Sequence, residues 1–190
     1  MATDESRSGF GSWGHLALRF FGALLPVGPR PSRQRWALGQ LSTEEARLFS
    51  AMSGPDRRHA IGVARSAQGL AAADGRATRD LPAGFVAAAL LHDVGKIESG
   101  LGTLGRVGAT LAARAVGRDR IVSPARPRPG RRPAGRVASY LGHDQIGARL
   151  LEGAGSDGLA VGWAREHHLP EHRWSIERQV GRYLKAADGD

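Results

Sequence analysis

Five of the chain's seven histidines, and two of its aspartates, fall where helical periodicity turns them inward. His59 precedes Val63 and Leu70 by four and eleven residues. At roughly 100° per residue the three lie within about 40° of one another on a helix. His92 follows Phe85 by seven residues, and Asp93 follows Val86 in the same way. His143 precedes Ile146 and Leu150, His167 follows Ala160 and Trp163, His168 follows Val161 and Ala164, and Asp188 follows Leu184 by four. A polar group on a buried face must find a partner. A single histidine can do so with a backbone carbonyl. Five histidines and two aspartates, converging from five helices, are more economically neutralised by ligating divalent metal. Two ions about 3.5–4 Å apart would make a phosphoesterase-type site. His15 and His172 are expected outside the cluster, because His172 sits in a Pro-Glu-His-Arg turn with no apolar partner.

The elements that must position these groups read as helices. Ser42 and Glu45 form a capping-box pattern ahead of a short helix to about Met52. Ser53, Pro55 and Asp56 start a longer helix to about Ala73, stopped by Asp74-Gly75. Pro82 opens a helix running through FVAAALLHDV to Gly95, and a fourth is expected over Leu104 to Val116. Pro124, Pro127, Pro129 and Pro133 make 117–135 a loop. The helical pattern resumes near Gly135 and continues, with a bend at Gly142, to Leu151. Ser156 is expected to cap a helix through Trp163 to His168, and Ser175 to cap the last one, IERQVGRYLKAAD. No alternating strand pattern or internal repeat appears. The fold class is therefore all-α, with six or seven helices. Residues 1–40 read as an N-terminal extension with a short apolar segment and a Pro/Arg-rich linker, and 41–190 as the domain.

Composition narrows the chemistry. The 190 residues suit one domain. Cysteine is absent, so disulfides, iron–sulfur clusters and thiolate zinc sites are excluded, and any metal must sit on His, Asp or Glu. A cytoplasmic location fits that absence. The net charge is +9, yet Arg114 to Arg136 alone contributes eight arginines against Asp119. That stretch is expected to be a solvated loop, not a nucleic-acid interface. Aromatics are only 6%, too few for a base-stacking platform. His15 to Pro26 is the longest apolar stretch near the start, and Arg19 interrupts it, so neither a membrane span nor a signal peptide is expected.

The run Ala89-Leu90-Leu91-His92-Asp93-Val94-Gly95-Lys96 resembles the signature of the HD-domain metal-dependent phosphohydrolases, including the HDIG type. The order His59, His92-Asp93, Asp188 matches the family's H…HD…D set, and the resemblance covers about residues 41–190. It implies a helical bundle around a metal site, with His59, His92, Asp93 and Asp188 as ligands and Asp93 as the bridge in a two-metal centre. YLGHDQIGARLLE and WAREHHLP resemble later segments of the two-metal subgroups. They imply that His143 and His167 are further ligands, and that His168 is one too or supports one. Asp144 stands where those subgroups have Pro, and no Gly-Tyr-Pro element follows Lys96. The resemblance gives catalytic roles to Asp93, which would help orient water, and to Lys96, which would meet a phosphate oxygen. Arg58 is a weaker candidate for the same work.

The implied activity is hydrolysis of a nucleotide-type phosphomonoester, phosphodiester or phosphoanhydride by metal-activated water. The implied cofactor is one or two divalent ions of Fe, Mn, Mg or a similar metal. The implied partner is a phosphorylated small molecule. The alternative is a signalling or binding module that holds a nucleotide without turnover.

Overall fold

The computed structural model describes residues 27–99 and 142–189. Among these residues the protein is all-α, with seven α-helices, three short 3-10 segments and no strand. The helices are α1 (Pro31–Leu38), α2 (Thr43–Ala51), α3 (Gly54–Ala73), α4 (Phe85–Leu91), α5 (His143–Gly153), α6 (Gly158–Glu166) and α7 (Arg178–Asp188). Short 3-10 segments run over Thr78–Asp80, Val94–Ser99 and Glu171–Arg173. None of the described helices is long and apolar enough to cross a membrane. The helix expected over Leu104–Val116, the loop 117–135, the helical start near Gly135 and the apolar stretch His15–Pro26 lie outside the described residues.

The centre of the bundle is α4. Its sequence, FVAAALL, is apolar on every face, and Phe85, Ala87, Ala88, Ala89, Leu90 and Leu91 are all buried. A helix apolar all round must be covered on all sides. Here α3 packs on one side, α6 on another, and α2 touches it as well. The three alanines let those neighbours approach closely. From this centre two helix pairs spread outwards: α3 packs with α7, and α5 packs with α6. Trp163, Phe49, Ile61, Leu151 and Leu184 fill the space between.

Local signals set several boundaries where expected. Ser42 caps α2, with its side chain accepting from Glu45 N–H while the Glu45 carboxylate accepts from Ser42 N–H at 2.9 Å. Ser53 caps α3, and Pro55 sits in its first turn. Other boundaries differ. Pro31 starts α1 inside the segment read as a linker, and α1 leans on α3 through buried Ala37 and an Arg65–Trp36 cation–π contact at 5.4 Å. Pro82 lies in a turn, and α4 begins only after Gly84, whose φ of 77° breaks the helical path. That helix stops at Leu91 instead of reaching Gly95. Asp157, not Ser156, caps α6, accepting from Leu159 N–H at 2.8 Å, while the Ser156 hydroxyl has no hydrogen-bond partner among the described residues. The last helix begins at Arg178, because Ser175 is committed elsewhere: its N–H and hydroxyl both donate to Glu166, at 2.7 and 2.6 Å.

Candidate metal centre

Both α4 and α6 end in a histidine, His92 and His167, at the C-cap. The last carbonyls of a helix lack intrahelical donors. Each imidazole folds back and supplies one. His92 Nδ1–H donates to the Ala89 carbonyl at 3.0 Å, and His167 Nδ1–H to those of Ala164 at 3.0 Å and Trp163 at 3.2 Å. A carbonyl can only accept, so the proton belongs on Nδ1 and the lone pair on Nε2. Both Nε2 atoms are buried, and neither has a hydrogen-bond partner among the described residues. An imidazole held by its other nitrogen, with a bare Nε2 facing inwards, is arranged as a metal ligand is.

Those two nitrogens head two groups. His59, His92 and Asp188 place ligand atoms within 4.8 Å of one another, and so do His143, His167 and His168. In the first, His59 comes from α3, His92 from the end of α4 and Asp188 from the last turn of α7. His59 Nε2 lies 2.9 Å from Asp188 Oδ1, and His92 Nε2 lies 3.7 Å from the same oxygen. In the second, His143 opens α5, and His167 and His168 follow α6. His143 Nε2 is 3.3 Å from His168 Nε2. Asp93 stands between the groups. Its Oδ2 faces His92 at 3.5 Å, and its Oδ1 faces His143 at 3.1 Å and His167 at 3.9 Å.

The electrostatics suit a cationic guest. Burial alone would raise the Asp93 carboxyl, but the charges of Lys96 and His92, with the hydrogen bond and charge of His143, outweigh it and hold the pKa well below the usual carboxylate range. Burial likewise opposes ionisation of Asp188, and the His59 hydrogen bond with the charges of His92 and His59 overcomes it. His167 is pushed well below the ordinary histidine value by burial and by the charges of His92 and His168, so it stays a neutral donor. Two carboxylates are thus anionic and a central imidazole is neutral, the states that metal ligation requires.

A pH dependence follows for protein stripped with a chelator. The folded pKa of His167 is depressed, so its contribution to stability is present above the unfolded value of about 6.5 and is lost as pH falls. The loss is at most about 1.4 kcal/mol per pH unit. The depressed pKa values of Asp93 and Asp188 act in the same direction, below an unfolded value of about 3.9. The melting temperature of the chelated protein should fall between pH 7 and pH 5 and fall further below pH 4. A flat profile from 7 to 5 would contradict the neutral, buried state of His167.

His59, His92, Asp93, His143, His167 and Asp188 converge on one place, as their spacing predicts. His168 also reaches it but is exposed, not buried as its phase suggests. His59 is half-buried, with 33% of its side chain accessible, and Leu70, expected on the same buried face, is 38% exposed. The buried stripe of α3 runs instead through Ala60, Ala64, Ala67 and Ala71, and His59 and Leu70 lie on its flank. His172 is exposed and lies outside both groups; His15 is not among the described residues. Lys96 is drawn further in than a rim position, since its ammonium bonds Asp93 Oδ2. Arg58 donates to the Val27 carbonyl.

Sequence reasoning missed the supports. Glu166 is buried beside His167 and ties down the segment that follows α6 through Ser175. Its place three residues after Trp163 was the available signal. The 3-10 segment at Val94–Ser99 crosses α5 at Gly95 and Gly147 so closely that a Cβ on residue 95 would lie 1.9 Å from the His143 carbonyl oxygen. Gly95 had been read only as a helix stop. No protein-family model, curated protein or solved structure matches the chain.

Proposed function

We propose that the chain is a metal-dependent phosphohydrolase of the HD-domain kind, acting on a phosphorylated small molecule of nucleotide type. The observation that carries the reading is the pair of three-residue ligand groups on either side of Asp93, each containing a buried Nε2 with no hydrogen-bond partner among the described residues. His59, His92 and Asp188 would hold one divalent ion and His143, His167 and His168 a second, with one Asp93 oxygen directed to each. Five imidazoles against two carboxylates favour Fe or Mn over Mg, which prefers oxygen donors. Ions held there supply Lewis acidity, which lowers the pKa of bound water and offsets charge on phosphoryl oxygens.

The residues themselves do the rest. Asp188 and Asp93 stay anionic at neutral pH, and Asp93, reaching both groups, accepts a hydrogen bond from water and orients it. Lys96 lies against Asp93 with 19% of its side chain accessible, so its ammonium can meet a substrate phosphoryl oxygen without leaving the site. No serine or cysteine nucleophile is required.

The test is metal analysis of purified protein, followed by turnover of bis-p-nitrophenyl phosphate and a panel of nucleotides. One to two equivalents of Fe or Mn with metal-dependent turnover is the expected result. Bound metal and bound nucleotide without turnover would instead make this a binding module.

Lys96→Ala should leave metal content near normal, because an ammonium is not a ligand. It should lower kcat/KM by about 10²–10³, the loss of one electrostatic stabiliser, about 2.7–4 kcal/mol. Lys96→Arg should recover only part, since a planar fork does not replace a compact charge. A lower melting temperature with unchanged kcat/KM would restrict Lys96 to balancing Asp93.

A further inference from the structure

Apart from His92, at the end of α4, the two ligand groups ride on different helix pairs, α3 with α7 and α5 with α6, and α4 packs against both α3 and α6. The separation of the two groups is the quantity that a two-ion centre must hold constant. At the site a side chain crosses from one pair to the other. Lys185 lies on α7 one turn before Asp188, and its ammonium donates to the backbone carbonyl of His167 at 2.8 Å. That carbonyl lies beyond the last turn of α6, where no helical N–H is in position to bond it. The negative end of the α6 dipole faces the same ammonium. The turn is closed by Leu169 N–H donating to Glu166 O at 2.7 Å, so a pull on the His167 carbonyl moves His167 and His168 as a unit.

We propose that Lys185 is a positioning residue that sets the distance between the two ligand groups by tying the His167–His168 turn to the helix that carries Asp188. The proposal rests on the reading of both groups as metal sites. Lys185 touches no ligand atom, so it acts through the backbone of His167. Lys185→Met keeps the aliphatic stem and removes the tie. It should keep the ion on His59, His92 and Asp188 and weaken the ion on His143, His167 and His168 by about 10–100-fold, the usual effect of removing a group that supports a ligand. Lys185→Arg, which can still donate, should restore binding.

The experiment is equilibrium dialysis of wild type, Lys185→Met and Lys185→Arg against Mn²⁺, with electron paramagnetic resonance of each. Wild type should show a spin-coupled pair of ions, and Lys185→Met the six-line signal of an isolated one at the same total Mn²⁺, with a melting temperature near wild type before loading. Two ions bound as tightly by Lys185→Met as by wild type would overturn the proposal. Loss of both ions in parallel would also overturn it, by marking Lys185 as a general support of the fold. A wild type that takes up no second ion defeats the metal reading instead, and that result is read before any variant is made. The tie is then judged in metal-free protein by hydrogen exchange at the Leu169 amide. Faster exchange in Lys185→Met upholds the tie, and unchanged exchange overturns it.

Discussion

Asp93→Ala should remove bound metal and bring phosphoester turnover below detection. Asp93 faces both ligand groups, with Oδ2 towards His92 and Oδ1 towards His143 and His167. Without it the site keeps five imidazoles and a single carboxylate, Asp188. The remaining donors would then hold two dications with one compensating charge, close together and largely out of water, where like charges repel strongly. Lys96 would lose the carboxylate it bonds, and its positive charge would add to theirs. Asp93→Asn separates size from charge. It preserves the side-chain volume but leaves one oxygen to accept, so it can serve one group and not both. Metal analysis and turnover on the two variants check the idea. Full metal content in Asp93→Ala would sink the bridging role.

Gly95→Ala should damage stability and activity together. A Cβ at residue 95 would lie 1.9 Å from the His143 carbonyl oxygen, 2.8 Å from its carbonyl carbon and 2.6 Å from the Gly147 nitrogen. All three are backbone atoms of α5, so no rotamer change relieves the clash. The 3-10 segment and α5 must separate, by more than an ångström. Overpacking of this kind costs about 1–3 kcal/mol, and more when the obstacle is rigid. At about 2–4 °C per kcal/mol for a chain of this size, the upper figure is a fall of roughly 6–12 °C in melting temperature. His143 begins α5 and Asp93 sits two residues before Gly95, so the same displacement pulls the 3.1 Å Asp93–His143 contact apart. A misplacement of about 1 Å can cost about 10² in rate. Gly147→Ala should be milder, because its Cβ would sit 3.2 Å from Gly95 N and 3.4 Å from Val94 Cγ1. Gly62→Ala is the control: nothing lies within 4 Å, and an alanine in mid-helix should stabilise by about 0.5–1 kcal/mol. Equal melting temperatures for Gly95→Ala and Gly62→Ala would refute the close crossing.

The candidate site was more legible than the boundaries of some elements that carry it. His92 could be placed from Phe85 because both belong to one stretch of apolar residues, and helical phase is reliable over two turns. Over longer spans it fails: Leu70 keeps the phase of His59 yet is exposed, because the buried stripe of α3 is centred on Ala60, Ala64, Ala67 and Ala71 and both residues lie on its flank. Ser175 and Ser156 look equally good as caps, but the choice depended on a distant partner in one case and a neighbour in the other. Glu166 captures Ser175, and Asp157 takes the α6 cap that Ser156 had been expected to make. The short linker-like segment at Pro31–Leu38 became a helix because α3 was there to cover Ala37.

Residue type and spacing alone determined that this chain is helical, that five His and two Asp side chains share an inward phase, and that thiolate chemistry is absent. Each follows from interactions within a few residues or from composition, which the linear order already contains. Only the tertiary structure decided how those side chains divide into two groups around Asp93, that His168 joins from an exposed position, and that Lys96 bonds Asp93. It also decided which imidazole nitrogen is left bare, since that follows from where α4 and α6 end. The distances concerned join residues up to 129 positions apart, as in His59 and Asp188. They are set by how closely glycine and alanine surfaces let the helices meet, a property of pairs of elements that no single stretch of sequence encodes.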